Sequence, residues 1–291
     1  MFHLAITASI VLMVVGFGLH SSPRDALFLF RQPRLLIRSL LSMNVIMPLV
    51  AAGFVVAFDL PPSVKVALVA LAVSPVPPLL PKKELKAGGQ AAYAIGLLAA
   101  VALLAIVTVP VAVSWFASAF GRAGEIGPLE IARIVATTVL VPLAVGIALR
   151  RWAPARVQRL ARPLAMAGMV LLVVSALPVV YSIWPAVYSL LENGAVWIVA
   201  AMAVIGLGVG HALGGPDPDT RTVLALSTAS RHPAVALAIC VASNVEAKPA
   251  LAAILLYVIV ALLISVPYVA WRRRLAVAAT HLPSSEMRLS K

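Results

Sequence analysis

The sequence predicts an all-α polytopic membrane protein with about nine transmembrane helices. Three observations carry that expectation. Hydrophobic residues make up 62% of the chain and charged residues 11%, with a mean hydropathy of +1.04. A soluble domain of similar length carries about a quarter charged residues, so these polar side chains are too few to clothe a water-exposed surface. The apolar residues gather into long continuous runs, which argues for helices rather than the short alternating segments of a barrel. The basic residues lie between those runs and fall unequally on the two sides.

A helical span needs about 20 apolar residues, within a range of roughly 17–25. Nine runs qualify, at 3–20, 34–58, 63–80, 89–117, 128–150, 161–181, 194–213, 222–242 and 248–271. The first has no basic residue before it and no small-x-small site after it, so it is expected to stay as a span rather than be removed as a leader. The second follows a basic connection that includes Arg31, Arg34 and Arg38. The third and the eighth are interrupted by proline. The fourth and the ninth, which follow them, are long and bland. No polar stretch is long enough for a separate soluble domain. Residues 1–271 are therefore expected to form one membrane domain, with halves at about 1–120 and 125–271. Residues 272–291 are expected to form an unstructured cytoplasmic tail.

If all nine runs cross, one side of the membrane collects eighteen Lys and Arg residues and the other four: Lys65, Arg122, Arg133 and Lys248. The remaining basic residue, Arg231, falls near the middle of a run. The richer side is expected to be cytoplasmic, which puts the N-terminus outside and the C-terminus inside a plasma (inner) membrane. The net charge of +13 is thus a topology signal, and nucleic acid is not an expected partner. The lipid bilayer is. Oligomeric state is left open. The single cysteine, Cys240, excludes an intrachain disulfide and a cysteine metal cluster.

The third run reads VALVALAVSPVPPLLPKKELKAGG from Val66. Pro75, Pro77, Pro78 and Pro81 cannot donate backbone hydrogen bonds and clash with the preceding turn. The helix is expected to stop near Ser74, continue as irregular backbone, and end in a short polar piece. The eighth run carries SRHP at residues 230–233. Pro233 disfavours helical geometry at His232, and Ser227, Thr228 and Ser230 are placed to satisfy freed backbone groups. Broken backbone survives at membrane depth only inside protein or beside a water-filled cavity. Matched interruptions in two halves point to a transport site. In the blander alternative the four-proline cluster simply ends the third span, with Lys82, Lys83, Glu84 and Lys86 in an ordinary loop, and SRHP is a satisfied structural kink.

Arg231 at mid-span costs about 2.5–3.5 kcal/mol on insertion scales, and every acidic residue is expected at a loop, a span end or the tail. Its expected partner is then a wet cavity, a backbone carbonyl or an anionic substrate, because a guanidinium holds a carboxylate with two parallel hydrogen bonds. His232 titrates near neutral pH and is a candidate carrier of a coupling proton; equally, it can stay neutral and donate to a freed carbonyl. The expected substrate-binding set is Arg231, His232, Ser230, Ser227, Thr228, Ser74, Pro75 and Asn44.

Several stretches resemble the bile acid:sodium symporter superfamily. These are MVVGFGLHSSPRDALFLFRQPRLLIRSLLSMNVIMPLVA (Met13–Ala51), LVPLAVGIALRRW (Leu140–Trp152) and ALSTASRHPAVALAI (Ala225–Ile239). Within the first lie Gly16 and Gly18, then Ser22-Pro23-Arg24-Asp25, the basic stretch Arg31 to Arg38, and Met47-Pro48. The resemblance implies an inverted-repeat transporter fold with panel and core domains, two broken helices crossing near the midplane, and substrate between the domains. It also implies sodium coupling. The chain departs from the family's pattern at both breaks. The first lacks the family's Ser, Thr and Asn, and the second, with Ala229, Ser230, Arg231, His232 and Pro233, has no acidic residue where the family uses a Glu. The expected function is secondary active transport of a small organic anion, with a proton as the alternative coupling ion. No cofactor is expected, and Na+ enters only through the resemblance. A membrane sensor or an intramembrane enzyme is the competing class. The five histidines show no metal-ligand spacing and Ser230 and His232 do not share a helical face, so an enzyme is not expected.

Overall fold

The computed structural model describes residues 2–120, 128–152, 154–243 and 245–280. Every regular element among them is helical. The first is α1 (Phe2–Gly18), followed by the one-turn α2 (Pro23–Ala26), whose capping box pairs Ser22 with Asp25. A single helix then runs through α3 (Pro33–Leu40), a π-helical turn (Leu41–Ile46) and α4 (Met47–Ala57). Next come α5 (Pro62–Val73), the short α6 (Leu80–Lys86) and the 30-residue α7 (Ala91–Phe120). A second π turn (Ala136–Leu140) joins α8 (Pro128–Val135) to α9 (Val141–Trp152). The chain ends with α10 (Pro154–Glu192), α11 (Ala195–Leu213), α12 (Pro218–Ala229), α13 (Pro233–Ala242) and α14 (Ala247–Thr280).

Seven helical stretches among the described residues are long and apolar enough to cross a membrane. Two shorter apolar helices, Leu4–Gly18 and Pro62–Val73, accompany them. Together they fall at the nine expected runs, but only seven meet the length criterion alone. The apolar surface has one reading. Along α10, Met166, Val170, Val173, Leu177 and Tyr181 are all exposed, and only 11% of its most apolar window is buried. So large an apolar face is untenable in water, and the chain is an integral membrane protein. The broken stretch Pro218–Ala242 is the opposite case, with 72% of its most apolar window buried. The helix interruption thus sits where protein surrounds it, as backbone freed in hydrocarbon requires.

Close backbone contacts set the packing. α11 lies against α12, where a Cβ on Gly210 would stand 2.4 Å from the Leu224 carbonyl oxygen and one on Gly206 3.0 Å from the Ala229 Cα. Only glycine permits that approach. Gly18 of α1 and Gly146 of α9 meet in the same way. α1 also packs along α10, while α5 and α14 flank α13 and α6 touches α12.

Two sequence expectations change here. The short polar piece after the first break is helix α6, and Pro81, expected to break the helix, lies in its first turn, where its missing N–H is harmless. The expected tail begins inside α14, which continues to Thr280. Arg272 is buried there, donating from Nε to the Thr222 hydroxyl at 2.8 Å and from Nη2 to the Pro218 carbonyl at 2.5 Å. Residues 281–291 lie outside the described residues.

Candidate functional site

Both breaks form for reasons written in the chain. α5 stops because Pro75 forces Ser74 into an extended conformation (φ −72°, ψ 148°). Pro75, Pro77 and Pro78 keep the following backbone irregular until Leu80. α12 stops at Ala229. Ser230 (φ −112°, ψ 138°) and His232 (φ −79°, ψ 106°) are extended, and Pro233 then opens α13 at the position where proline suits a helix. The two breaks touch. The backbone N–H of His232 donates to the Pro75 carbonyl at 2.9 Å and also to the Ser74 hydroxyl at 3.1 Å. Ser74 Oγ in turn donates to the Leu71 carbonyl at 2.8 Å.

Arg231 is 2% exposed and reaches across to the other half of the chain, where Nη1 donates to the Ser74 carbonyl at 3.3 Å. That carbonyl caps the C-terminal end of α5, the negative end of its dipole. The Tyr257 hydroxyl of α14 donates to the Ala229 carbonyl at 2.9 Å and lies close beside the guanidinium. Arg231 Nε and Nη2 have no hydrogen-bond partner among the described residues. These two nitrogens form one edge of the guanidinium, and their N–H bonds point the same way as the fork that grips a carboxylate. His232, 1% exposed, likewise has both ring nitrogens without a partner. Just beyond, Pro233 and Ala234 are exposed, at the positive, N-terminal end of α13. Four buried donor or acceptor atoms on two consecutive residues thus lie just before an accessible helix start. Buried polar atoms are rarely left so.

The other expected residues divide into two groups. Ser74 and Pro75 serve the break through the bonds above. Ser230 is half-buried, its N–H on the Ser227 carbonyl at 3.3 Å. Ser227 and Thr228 lie one turn back and face away from Arg231's partners. The Thr228 and Ser42 hydroxyls share a hydrogen bond of 2.6 Å, which ties α12 to the first π turn. Asn44 sits half-buried on that same turn, which packs against α5 and α12.

Ser227 leads to a residue that the sequence reading misplaced. Its hydroxyl donates to Glu84 Oε1 at 2.5 Å, and Glu84 is 1% exposed. The expectation that every acid lies at a loop or an end is therefore wrong for Glu84. The signal was present in helical spacing: Leu80, Pro81, Glu84 and Ala87 share the buried face of α6, while Lys82 and Lys86 are exposed. Lysines on both sides of Glu84 disguised it as surface. α6 is closed by Gly88 (φ +81°) and by the Gly89 N–H on the Glu84 carbonyl at 2.9 Å, a terminal turn that only glycine makes easily. Lys83 turns instead to the Ser265 hydroxyl of α14. Tyr257, Ser42 and Ser265 were also not anticipated, because an isolated hydroxyl in an apolar helix carries no local sign of its partner.

Among known families, the model described as Sodium Bile acid symporter family matches residues 7–183. The match covers the chain from α1 into α10, including the first break and Glu84, and ends before Arg231. No curated protein matches the chain.

Proposed function

This chain belongs to the Sodium Bile acid symporter family, and from that premise we propose that it is a secondary active transporter of a small organic anion, working by alternating access at the two broken helices. The observation that carries the proposal is the partnerless Nε/Nη2 edge of Arg231 beside His232. A carboxylate set against that edge receives two parallel charge-assisted hydrogen bonds. His232 adds a further hydrogen bond, and the N-terminal end of α13 adds a favourable dipole. Nη1, held by the Ser74 carbonyl, orients the fork at the junction of the two halves, and a motion that parts the crossing helices frees it.

The proposal includes the finer architecture: nine spans, with α1 and the α5–α6 pair counted among them; an inverted repeat; and panel and core groups of helices. It also places the N-terminus outside and the C-terminus in the cytoplasm of the plasma membrane. A reporter joined to the C-terminal end should read cytoplasmic; an outside reading would contradict the topology.

Coupling to a proton rather than to sodium belongs to the same proposal. Sodium needs several oxygen ligands. At the junction of the breaks the Ser74 carbonyl is engaged by Arg231 and the Pro75 carbonyl by His232 N–H. A guanidinium already stands there, and its charge opposes a second cation at close range. Two groups are candidates for the proton, His232 and Glu84.

The test is uptake of labelled organic anions into proteoliposomes, with sodium and proton gradients imposed separately. Saturable uptake that responds to the proton gradient and not to sodium is expected. Strong acceleration by sodium with no response to pH would overturn the coupling. No uptake and no counterflow of any organic anion would overturn transport itself.

A further inference from the structure

We propose that Glu84 is the proton-binding group of the transport cycle, taking a proton on its carboxyl when α6 and α12 close together and releasing it when they part. The inference rests on the proton-coupled reading above and names the residue that serves it. A carboxyl buried inside the protein, facing a partner on another helix and lacking an ion pair, is costly to keep there and is a functional candidate on that ground.

Three structural facts point to Glu84. It is buried between α6 and α12, and no ion pair to it exists among the described residues. Its partner belongs to the other half of the chain: Ser227 Oγ donates to Oε1 at 2.5 Å. A hydroxyl can accept as well as donate, so Ser227 can stay bonded whether or not the carboxyl holds a proton. Finally, Ser227 links Glu84 to the second break, because the Ser227 carbonyl takes the Ser230 N–H next to Arg231.

Few charged or titratable groups face Glu84. On its own helix there is Lys83, which is turned to Ser265 of α14. From α7 comes Tyr93, whose hydroxyl shares a 2.8 Å hydrogen bond with Ser39. α12 faces it with Ser227. Further along α14, Arg272 is committed to Thr222 and the Pro218 carbonyl. A bare carboxylate enclosed here has no full counter-charge in contact. It must take a proton or regain water. The proton therefore favours the closed α6–α12 contact, and its loss favours opening. His232 is less suited, because its neighbour is the Arg231 guanidinium and no carboxylate lies beside it among the described residues.

Infrared difference spectroscopy of the full-length protein in lipid, as pH is varied, reads the proton without needing transport. The wild type should show the carbonyl stretch of a protonated carboxylic acid that disappears as pH rises. Glu84→Gln should abolish that band. His232→Gln should keep it, and Ser227→Ala should shift its frequency because a hydrogen bond is lost. In proteoliposomes, Glu84→Gln should flatten the pH dependence of uptake several-fold, and Glu84→Asp should restore part of it. An identical titrating band in wild type and Glu84→Gln would overturn the proposal. So would full pH dependence of uptake in Glu84→Gln, which would leave the transporter reading standing. A titrating Glu84 band in a protein that moves no organic anion would support the proton site and defeat the transporter reading instead.

Discussion

The two helix breaks look alike in outline and differ in what they supply. The first spans residues 74–79, carries three prolines, and contributes backbone carbonyls and one hydroxyl. The second is three residues long and contributes the side chains of Arg231 and His232. Each depends on the other. Arg231 of the second half is held by the Ser74 carbonyl of the first, and Glu84 of the first half is served by Ser227 of the second. The ionisable group of each half thus takes a hydrogen bond across the crossing rather than within its own segment. A motion that separates the crossing helices breaks both bonds at once, so the binding group and the proton group are joined by the same contact.

The largest expected effect comes from removing the charged side of that comparison. Arg231→Ala should weaken binding of an anion that the wild type transports by about 10- to 150-fold, corresponding to about 1.5–3 kcal/mol for a hydrogen-bonded charge. Arg231→Lys should recover only part of this, since an ammonium keeps the charge and loses the fork. Isothermal titration of the purified protein measures both. Equal affinity in Arg231→Ala and wild type would place the anion elsewhere.

The next effect concerns what supports the second break. Gly210→Ala sets a methyl 2.4 Å from the Leu224 carbonyl oxygen, whereas at Gly208 a Cβ meets nothing within 4 Å. Overpacking typically costs about 1–3 kcal/mol, so Gly210→Ala should lower thermal stability in detergent and Gly208→Ala should leave it nearly unchanged. Equal melting temperatures for the two variants would mean that the close approach of α11 to α12 is not needed. The smallest effect is expected at the π turn. Thr228→Val removes the 2.6 Å bond to Ser42 and should cost about 0.6 kcal/mol, the average for such bonds in a membrane protein. A loss as large as that of Gly210→Ala would make this bond part of the crossing itself.

These contrasts also show where sequence reasoning reached. Long apolar runs and proline chemistry are local, so the positions of the helices and both breaks were legible before any coordinates. Arg231 and His232 were legible because each is an anomaly in its own segment. Glu84 was not, since its neighbours are lysines and its partner lies 143 positions away. The Thr228–Ser42 and Lys83–Ser265 bonds escaped for the same reason. Nor do the π turns at Leu41–Ile46 and Ala136–Leu140 carry any sign in composition, because an extra residue in a helical turn is decided by packing. Pro81 was over-read: proline ends a helix from within but is welcome in its first turn.

The central proposal is that Arg231, a buried positive charge at the crossing of the two breaks, receives an anion through the exposed start of α13. Its most direct test needs no knowledge of the substrate. In a Cys240→Ser background, Ser230→Cys places a thiol beside the guanidinium, at a half-buried position next to exposed Pro233 and Ala234. The rates of its reaction with small anionic and cationic thiol reagents of equal size are then compared. A focused positive potential raises local anion concentration by about tenfold or more. The anionic reagent should therefore react about ten times faster, and Arg231→Gln should bring the ratio close to one. Equal rates in the presence of Arg231, or no reaction with either reagent, would contradict an anion site at the crossing.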